Sequence, residues 1–362
     1  MKAMKRPRGK VMNPPRVRVA LVSAVLAALL IIPLVGGCSC DIKQVIDQAS
    51  LTSRGLKLLN IIKEKAGDGY DVRSPRAKWI EALNAYGRGD YLRASSLLDE
   101  IEAEIPSLKK VGERIFFKSA GNITVSALVF KPQGDGPWPT VAVNHPGFGD
   151  AADFSDVGII FAEKGYLALV SDYRGSGKSE GTHELAKGEV DDVIFGLKYL
   201  ESKGWIDDER IAATGQSHGA TVSILAAARY KKIKCVVAEA GFSDAVEGYE
   251  HLVTSSDPSA KEMFAKVKTI IPGGPDVFPE EYAVRSAINY VKDINAPVLL
   301  IHGAKDPLVP VGQSVKLYDA MKAAGKIVEL KIYPNEAHCV NDPAGRAEIW
   351  NMTLEWFKKY GV

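Results

Sequence analysis

The chain has 362 residues, 46% of them hydrophobic and 25% charged, with a formal net charge of +2. That is the composition of a globular protein with ample material for a core, and it excludes extended disorder for most of the length. Much of the positive excess lies before residue 20, and nothing downstream forms a nucleic-acid patch, so no nucleic-acid partner is expected.

The basic start is followed by an apolar run from Val19 to Val35, which reads as a secretory signal over residues 1–37 rather than as part of a fold. The run is short for the roughly 20 residues a bilayer core requires, and it carries Pro33 near its end. Val35-Gly36-Gly37-Cys38 resembles a bacterial lipobox, in which the cysteine thiol takes a diacylglycerol. Cys38 is therefore the expected lipidation site, and the expected location is the cell envelope, anchored to a bacterial membrane. Ser39 follows the cysteine where an aspartate would favour inner-membrane retention, which points to the outer membrane facing the periplasm. An uncleaved anchor helix and ordinary signal cleavage are the alternatives. With Cys38 set aside, Cys40, Cys235 and Cys339 remain, and no Cys/His spacing suits a metal. Cys235 sits in an apolar stretch and reads as a buried free thiol; Cys339 reads as wall packing.

Residues 38–110 read as a helical region. The spacing Trp79, Ala82, Leu83, Tyr86, then Ala94, Leu97, Leu98 across the turn at Gly87 and Gly89 resembles one tetratricopeptide-like hairpin. One such repeat cannot bury its own apolar face, so it is expected to pack on the following domain or on a protein partner.

Period-two segments begin at Glu113–Phe117 and Ile123–Phe130, joined by the turn Ala120-Gly121-Asn122 as an antiparallel hairpin. Short apolar strands then alternate with helices: 140–144, 167–171, 211–214, 235–239, 298–302 and 329–333. The expected domain, residues 111–362, is α/β: an eight-stranded, mostly parallel sheet with helices on both faces, preceded by the small helical region. Residues 243 to about 292 break the alternation and read as an inserted cap.

Gly215-Gln216-Ser217-His218-Gly219 lies between a strand and the apolar helix Val222 to Ala228, the context of a nucleophile elbow. A serine needs a neutral imidazole to take its proton. His218 is adjacent and points away, His251 falls in the cap, and His302 ends a strand and suits support of the next loop. His338, in the loop after the strand ending at Tyr333, stands where the order Ser, Asp, His places the base. Asp306 follows the strand from Val298 and can orient His338. Glu239 and Asp244 are rival orienting acids. The oxyanion donors expected are the backbone N–H of His218 and that of Phe148, with Gly147 next, from the loop His145-Pro146-Gly147-Phe148-Gly149. The glycine-rich run Asp172 to Gly181 lacks nucleotide-loop spacing and reads as structural, with Asp172 and Arg174 bracing neighbouring turns.

On the Asp-Tyr-Arg-Gly-Ser-Gly loop, the elbow, His-Gly-Ala-Lys-Asp and the late His338, residues from about Val111 to Val362 resemble the α/β-hydrolase superfamily. Within it they are most similar to the catalytic domain of the prolyl oligopeptidase group and its esterase-like relatives. The resemblance implies a serine hydrolase acting through an acyl-enzyme with no metal or organic cofactor. Prolyl oligopeptidases typically carry a propeller ahead of this domain, where about 70 helical residues stand here, so carboxylic ester cleavage is expected ahead of peptide cleavage. A small-molecule ester or peptide is the expected substrate. A lipid-anchored binding protein with a purely structural hydrolase fold is the non-enzymatic rival.

Overall fold

The computed structural model describes residues 42–362, with side chains from residue 48. The lipobox with Cys38, the signal run and Cys40 lie outside the described residues. By its internal contacts the chain divides into Met1–Leu56 and Lys57–Val362, and the second unit holds the sheet and the candidate site.

Eight strands form one sheet in the spatial order β1-β2-β4-β3-β5-β6-β7-β8. They are β1 (Glu113–Lys118), β2 (Thr124–Phe130), β3 (Trp138–Asn144), β4 (Leu167–Ser171), β5 (Ile206–Gln216), β6 (Ile233–Glu239), β7 (Val298–Gly303) and β8 (Val328–Tyr333). β1 and β2 pair antiparallel, as do β2 and β4, and the remaining pairs are parallel. The β1–β2 turn is the expected one, with Gly121 at φ 76°. β5 starts five residues before the apolar stretch that announced it. Its extension through Asp207-Asp208-Glu209-Arg210 carries side chains that pair with the start of β6 and the residue before it, Asp208 with Lys232 at 2.7 Å and Glu209 with Lys234 at 2.6 Å. Cross-strand ion pairs make a polar stretch serviceable as strand there.

Both faces are covered. On one, α4 (Ser155–Glu163) and the C-terminal α11 (Pro343–Lys359) bury Ile159, Phe161, Trp356 and Phe357 against Val141, Val143, Leu299 and Ile301. On the other, α5 (Gly188–Ser202), α6 (His218–Arg229) and α10 (Gly312–Ala323) pack Val193, Leu197, Leu225 and Leu317 against Ala142, Val298 and Leu300. Adjacent residues of one strand thus serve opposite cores, which is why parallel strands read as unbroken apolar runs. Cys235 is fully buried and free, and burial pushes its thiol up to about 12.

Ahead of the sheet stand α1 (Ile42–Gly67), α2 (Arg73–Gly87) and α3 (Tyr91–Glu104). α2 and α3 form the hairpin, with Gly89 at φ 79° in the turn and the Asp90 carboxylate accepting from Arg93 N–H at the start of α3. Within the Lys57–Val362 unit α1 and α2 are fastened to α4 and the turn before it by Lys63 to Asp153 (2.7 Å), Arg73 to Glu163 (2.7 Å) and Arg76 to Asp156 (2.5 Å). Among the described residues no helix is long and apolar enough to cross a membrane. Between β6 and β7 the residues expected as a cap form α7 (Ala245–Thr254), α8 (Pro258–Ile270) and α9 (Pro279–Ala283).

One buried polar joint ties these layers. Asp172, at the end of β4, is fully buried. It bonds to Arg114 and to Ser126 Oγ, and accepts the backbone N–H groups of Ala151 (2.8 Å) and Lys178 (3.1 Å). Arg114 Nε in turn donates to Gly67 O at the end of α1 (2.6 Å). Arg174 braces its own loop on buried Asp192 and on Glu184, both at 2.8 Å. Removing one partner of a buried ion pair leaves an uncompensated charge, so Arg114→Ala should lower stability by about 3 kcal/mol in urea titration. A loss under about 0.5 kcal/mol would mean that Asp172 is satisfied by its other donors alone.

Candidate active site

The nucleophile's position follows from the backbone. Ser217 lies between the last residue of β5 and the first of α6 with φ 54° and ψ −123°, a conformation that costs a non-glycine residue on the order of 1–3 kcal/mol. Its neighbours explain the two glycines. A Cβ on Gly215 would lie 2.3 Å from Gly219 O, and one on Gly219 would lie 2.1 Å from Asn144 O. No side chain fits either gap. The Ser217 N–H is taken by Glu239 O at 2.8 Å.

The loops after β7 and β8 deliver the partners. His338 Nε2 is 2.9 Å from Ser217 Oγ, and His338 Nδ1 is 2.7 Å from Asp306 Oδ2. The structure therefore brings together Ser217, His338 and Asp306. An ionised Asp306 only accepts, so Nδ1 carries the proton and Nε2 presents its lone pair to the hydroxyl. Burial by itself raises the pKa of Asp306, but bonds from His302 and His338 and from the Val309 N–H outweigh it and hold the carboxyl well below the usual range. Oδ1 accepts Leu308 N–H and Val309 N–H, each at 2.9 Å. His302 is buried at the end of β7, with Nε2 2.8 Å from Val309 O and Nδ1 2.7 Å from Ser314 Oγ, so it braces the aspartate loop.

The other candidates are engaged elsewhere. His251 Nε2 bonds to Pro307 O at 2.8 Å. His218 is buried, its Nε2 accepts Ala186 N–H at 2.8 Å, and burial pulls its pKa down to about 3, so it stays neutral. Asp244 caps α7 and pairs with Lys316 at 2.7 Å. Glu239 receives Val340 N–H (2.8 Å) and Gln216 Nε2 (2.8 Å) and bonds to Arg346, which fastens the histidine loop to the elbow. Cys339 has φ 58°, and burial raises its thiol pKa. The backbone N–H of His218 belongs to the first turn of α6, which has no acceptor within its own helix. Gly147 sits over it, where a Cβ would lie 3.4 Å from that of His218. Phe148 has a left-handed φ of 65°, and its N–H is 3.4 Å from His183 Nε2. Sequence patterns did not point to His183.

Beside Ser217 opens a cavity of about 270 Å³, bordered by Leu185, Tyr249, Leu252, Met263, Ile271 and Tyr282. Arg285 also borders it, but its guanidinium is spent on Glu184 O (2.7 Å) and on Glu281 (2.7 Å).

This arrangement matches known proteins. A family model described as the prolyl oligopeptidase family covers residues 152–361, more than half of the chain. The chain belongs to the prolyl oligopeptidase family. As a member it is a serine hydrolase with an α/β-hydrolase fold. It is 29% identical over 201 residues to the uncharacterized peptidase YtmA of Bacillus subtilis (strain 168), covering 55% of this chain and 75% of that one. A Pyrococcus horikoshii acylaminoacyl peptidase superimposes with a TM-score of 0.59 at 22% identity over 73% of this chain, which spans only 44% of that peptidase. The Pyrococcus furiosus esterase Pf2001 superimposes with a TM-score of 0.54 at 22% identity, covering 69% of this chain and 92% of that one. Both structural likenesses speak for the fold.

In Asp306→Asn the amide would favour the wrong tautomer of His338, with Nε2 protonated and unable to accept from Ser217. A fall in kcat of about 10³ to 10⁴ is expected, read by steady-state hydrolysis. The same variant tests a stability linkage. A depressed carboxyl contributes stability above its unfolded value near 4 and loses it as pH falls through the folded pKa. Urea midpoints below pH 4 should therefore depend less steeply on pH in Asp306→Asn than in the wild type.

Proposed function

We propose that the protein hydrolyses carboxylic esters with an apolar acyl group through an acyl-enzyme on Ser217. The observation that carries this reading is the continuous Ser217–His338–Asp306 bond chain opening directly onto the apolar cavity. Ser217 Oγ attacks the acyl carbonyl while its proton passes to His338 Nε2, and Asp306 stabilises the imidazolium. The tetrahedral oxyanion takes the N–H groups of His218 and Phe148, with Gly147 allowing the loop to approach. Collapse expels the alcohol oxygen, which takes the proton from His338. Water, deprotonated by His338, then attacks the acyl carbon and releases Ser217. Every step uses side chains and backbone of this chain. The apolar cavity receives the acyl chain, because it offers an acyl carboxylate or ammonium no unspent counter-charge.

The rival reading, peptide cleavage, draws on the family itself and on YtmA's designation as a peptidase. A non-catalytic binding role has no supporting observation. A fluorophosphonate probe should label the wild type and leave Ser217→Ala unlabelled. Against p-nitrophenyl esters, kcat/KM should rise about three- to fourfold per added methylene, the value of burying roughly 0.8 kcal/mol, until the cavity is full. Faster turnover of Xaa-Pro or acylaminoacyl amides than of any ester would replace the esterase reading by the peptidase one.

We propose further, from the Val35-Gly36-Gly37-Cys38 pattern, that Cys38 carries a lipid holding the protein in the cell envelope. Metabolic labelling with palmitate should mark the wild type and spare Cys38→Ala; equal labelling would remove the anchor.

A further inference from the structure

The proposed triad leaves one set of buried ionisable side chains unused. Glu189, second residue of α5, is fully buried, and its carboxylate gathers the loop before it. Oε1 accepts Glu184 N–H at 2.6 Å and Leu185 N–H at 3.0 Å, and Oε2 accepts Lys187 N–H at 3.1 Å. That loop passes through two consecutive left-handed residues, Leu185 (φ 56°) and Ala186 (φ 62°), so an outside anchor is needed to hold it. The same Oε1 lies 2.9 Å from His183 Nδ1. Burial raises the pKa of Glu189, but the bond to His183 and the neighbouring charges and N–H groups bring it down to about 2. The Phe148 N–H is directed at Nε2, so Nε2 is the lone-pair nitrogen and the ring proton sits on Nδ1 toward Glu189, with Leu185 N–H also 3.3 Å from Nδ1. Asp306 imposes the same tautomer on His338. Here, however, Nε2 faces the Phe148 N–H at 3.4 Å, and the imidazole stacks on the Phe148 ring with centroids 4.9 Å apart and an interplanar angle of 24°.

We infer that His183, oriented by Glu189, is a positioning residue of the oxyanion loop, holding the Phe148 N–H on its Nε2 until the substrate oxyanion takes that N–H over. The inference rests on the acyl-transfer reading above. Three features support it. Phe148 is itself left-handed, so its conformation needs support from outside its own loop. The 3.4 Å contact lies at the long end of hydrogen-bond range, so it is readily exchanged, and a charged oxyanion is the stronger acceptor. Ring stacking supplies a second hold on the same residue, with Lys266 Nζ 5.4 Å from the phenyl centroid. Without the acceptor, the loss falls on the transition state rather than on the acyl chain, which binds in the apolar cavity. His183, Glu189 and His218 lie close enough together to suggest a cation site. Their hydrogen bonds account for the cluster instead, since Glu189 Oε1 is shared by two backbone N–H groups and His218 Nε2 holds Ala186 N–H.

The test compares His183→Phe and His183→Gln in the full chain, with Ser217→Ala as control, using p-nitrophenyl ester turnover and the rate of fluorophosphonate labelling. Phenylalanine keeps a ring to stack on Phe148 but offers no acceptor; glutamine offers an acceptor without a ring. His183→Phe should lower kcat by about 10- to 100-fold with KM changed less than about threefold, as for a weakened oxyanion donor. His183→Gln should recover most of that loss. Wild-type kcat in His183→Phe, or equal losses in both variants accompanied by equal drops in thermal midpoint, would overturn the inference. Either result with Ser217→Ala inactive leaves the serine-hydrolase reading standing; an active Ser217→Ala removes that reading first.

Discussion

The site depends on a backbone crossing in which three chain segments meet with no room for a methyl group. Gly215 at the end of β5, Gly219 in the first turn of α6 and Asn144 at the end of β3 touch through backbone atoms, with Ser217 forced left-handed between them. This contact lifts the hydroxyl above the sheet edge, starts α6 under it, and brings the loop after β3 over the His218 N–H. The crossing is pinned from beneath. Asn144 Nδ2 donates to Ser223 Oγ at 2.8 Å, and that hydroxyl donates to Gly219 O at 2.7 Å. Ser217 N–H is tied to β6 through Glu239 O, and the Glu239 side chain reaches Val340, so the loop carrying His338 is set by the strand that sets the serine.

Around this crossing the fold repeats one device. Three buried carboxylates near the strands' C-terminal ends each gather a loop by collecting backbone N–H groups. Asp172 takes those of Ala151 and Lys178, Glu189 those of Glu184, Leu185 and Lys187, and Asp306 those of Leu308 and Val309. Burying a charge is costly unless it is paired and hydrogen-bonded, and these bonds are of the stronger, charge-assisted kind. The expense yields fixed loops, and a fixed loop spends no reorganisation when charge develops on a substrate.

The same device marks where the sequence is legible and where it is not. Strands buried on both faces announce themselves as apolar runs, and Ser217 and Asp306 each stand in the first residues after such a run, while His338 follows the edge strand β8, where Val328, Leu330 and Ile332 alternate with Glu329 and Lys331. Their order and placement were therefore readable. The left end of β5 was not, because Asp207 to Arg210 look like a turn until Lys232 and Lys234 are known to lie beside them. Glu189 and His183 were unreadable for a deeper reason. Most partners of Glu189 are backbone N–H groups, which every non-proline residue has, so nothing in residue identity signals that they converge. The left-handed turns at Leu185 and Ala186 also occur without a glycine to advertise them.

These two physical parts of the site, the polar crossing and the apolar cavity, meet in one short segment. Leu185 borders the cavity with its side chain while its N–H is held by Glu189, and Glu189 also fixes the imidazole that faces Phe148. The proposed acyl pocket and the proposed oxyanion loop consequently share an anchor. The cap side of the cavity, with Tyr249, Leu252 and Met263 on α7 and α8, reaches the site's loops through His251 Nε2 at Pro307 O (2.8 Å) and Lys266 Nζ over the Phe148 ring (5.4 Å). On the proposed reading, a change at Leu185 acts on both the fit of the acyl chain and the support of the Phe148 loop, and a change on the cap face is felt there too, because Leu252 and Met263 pack with Leu185.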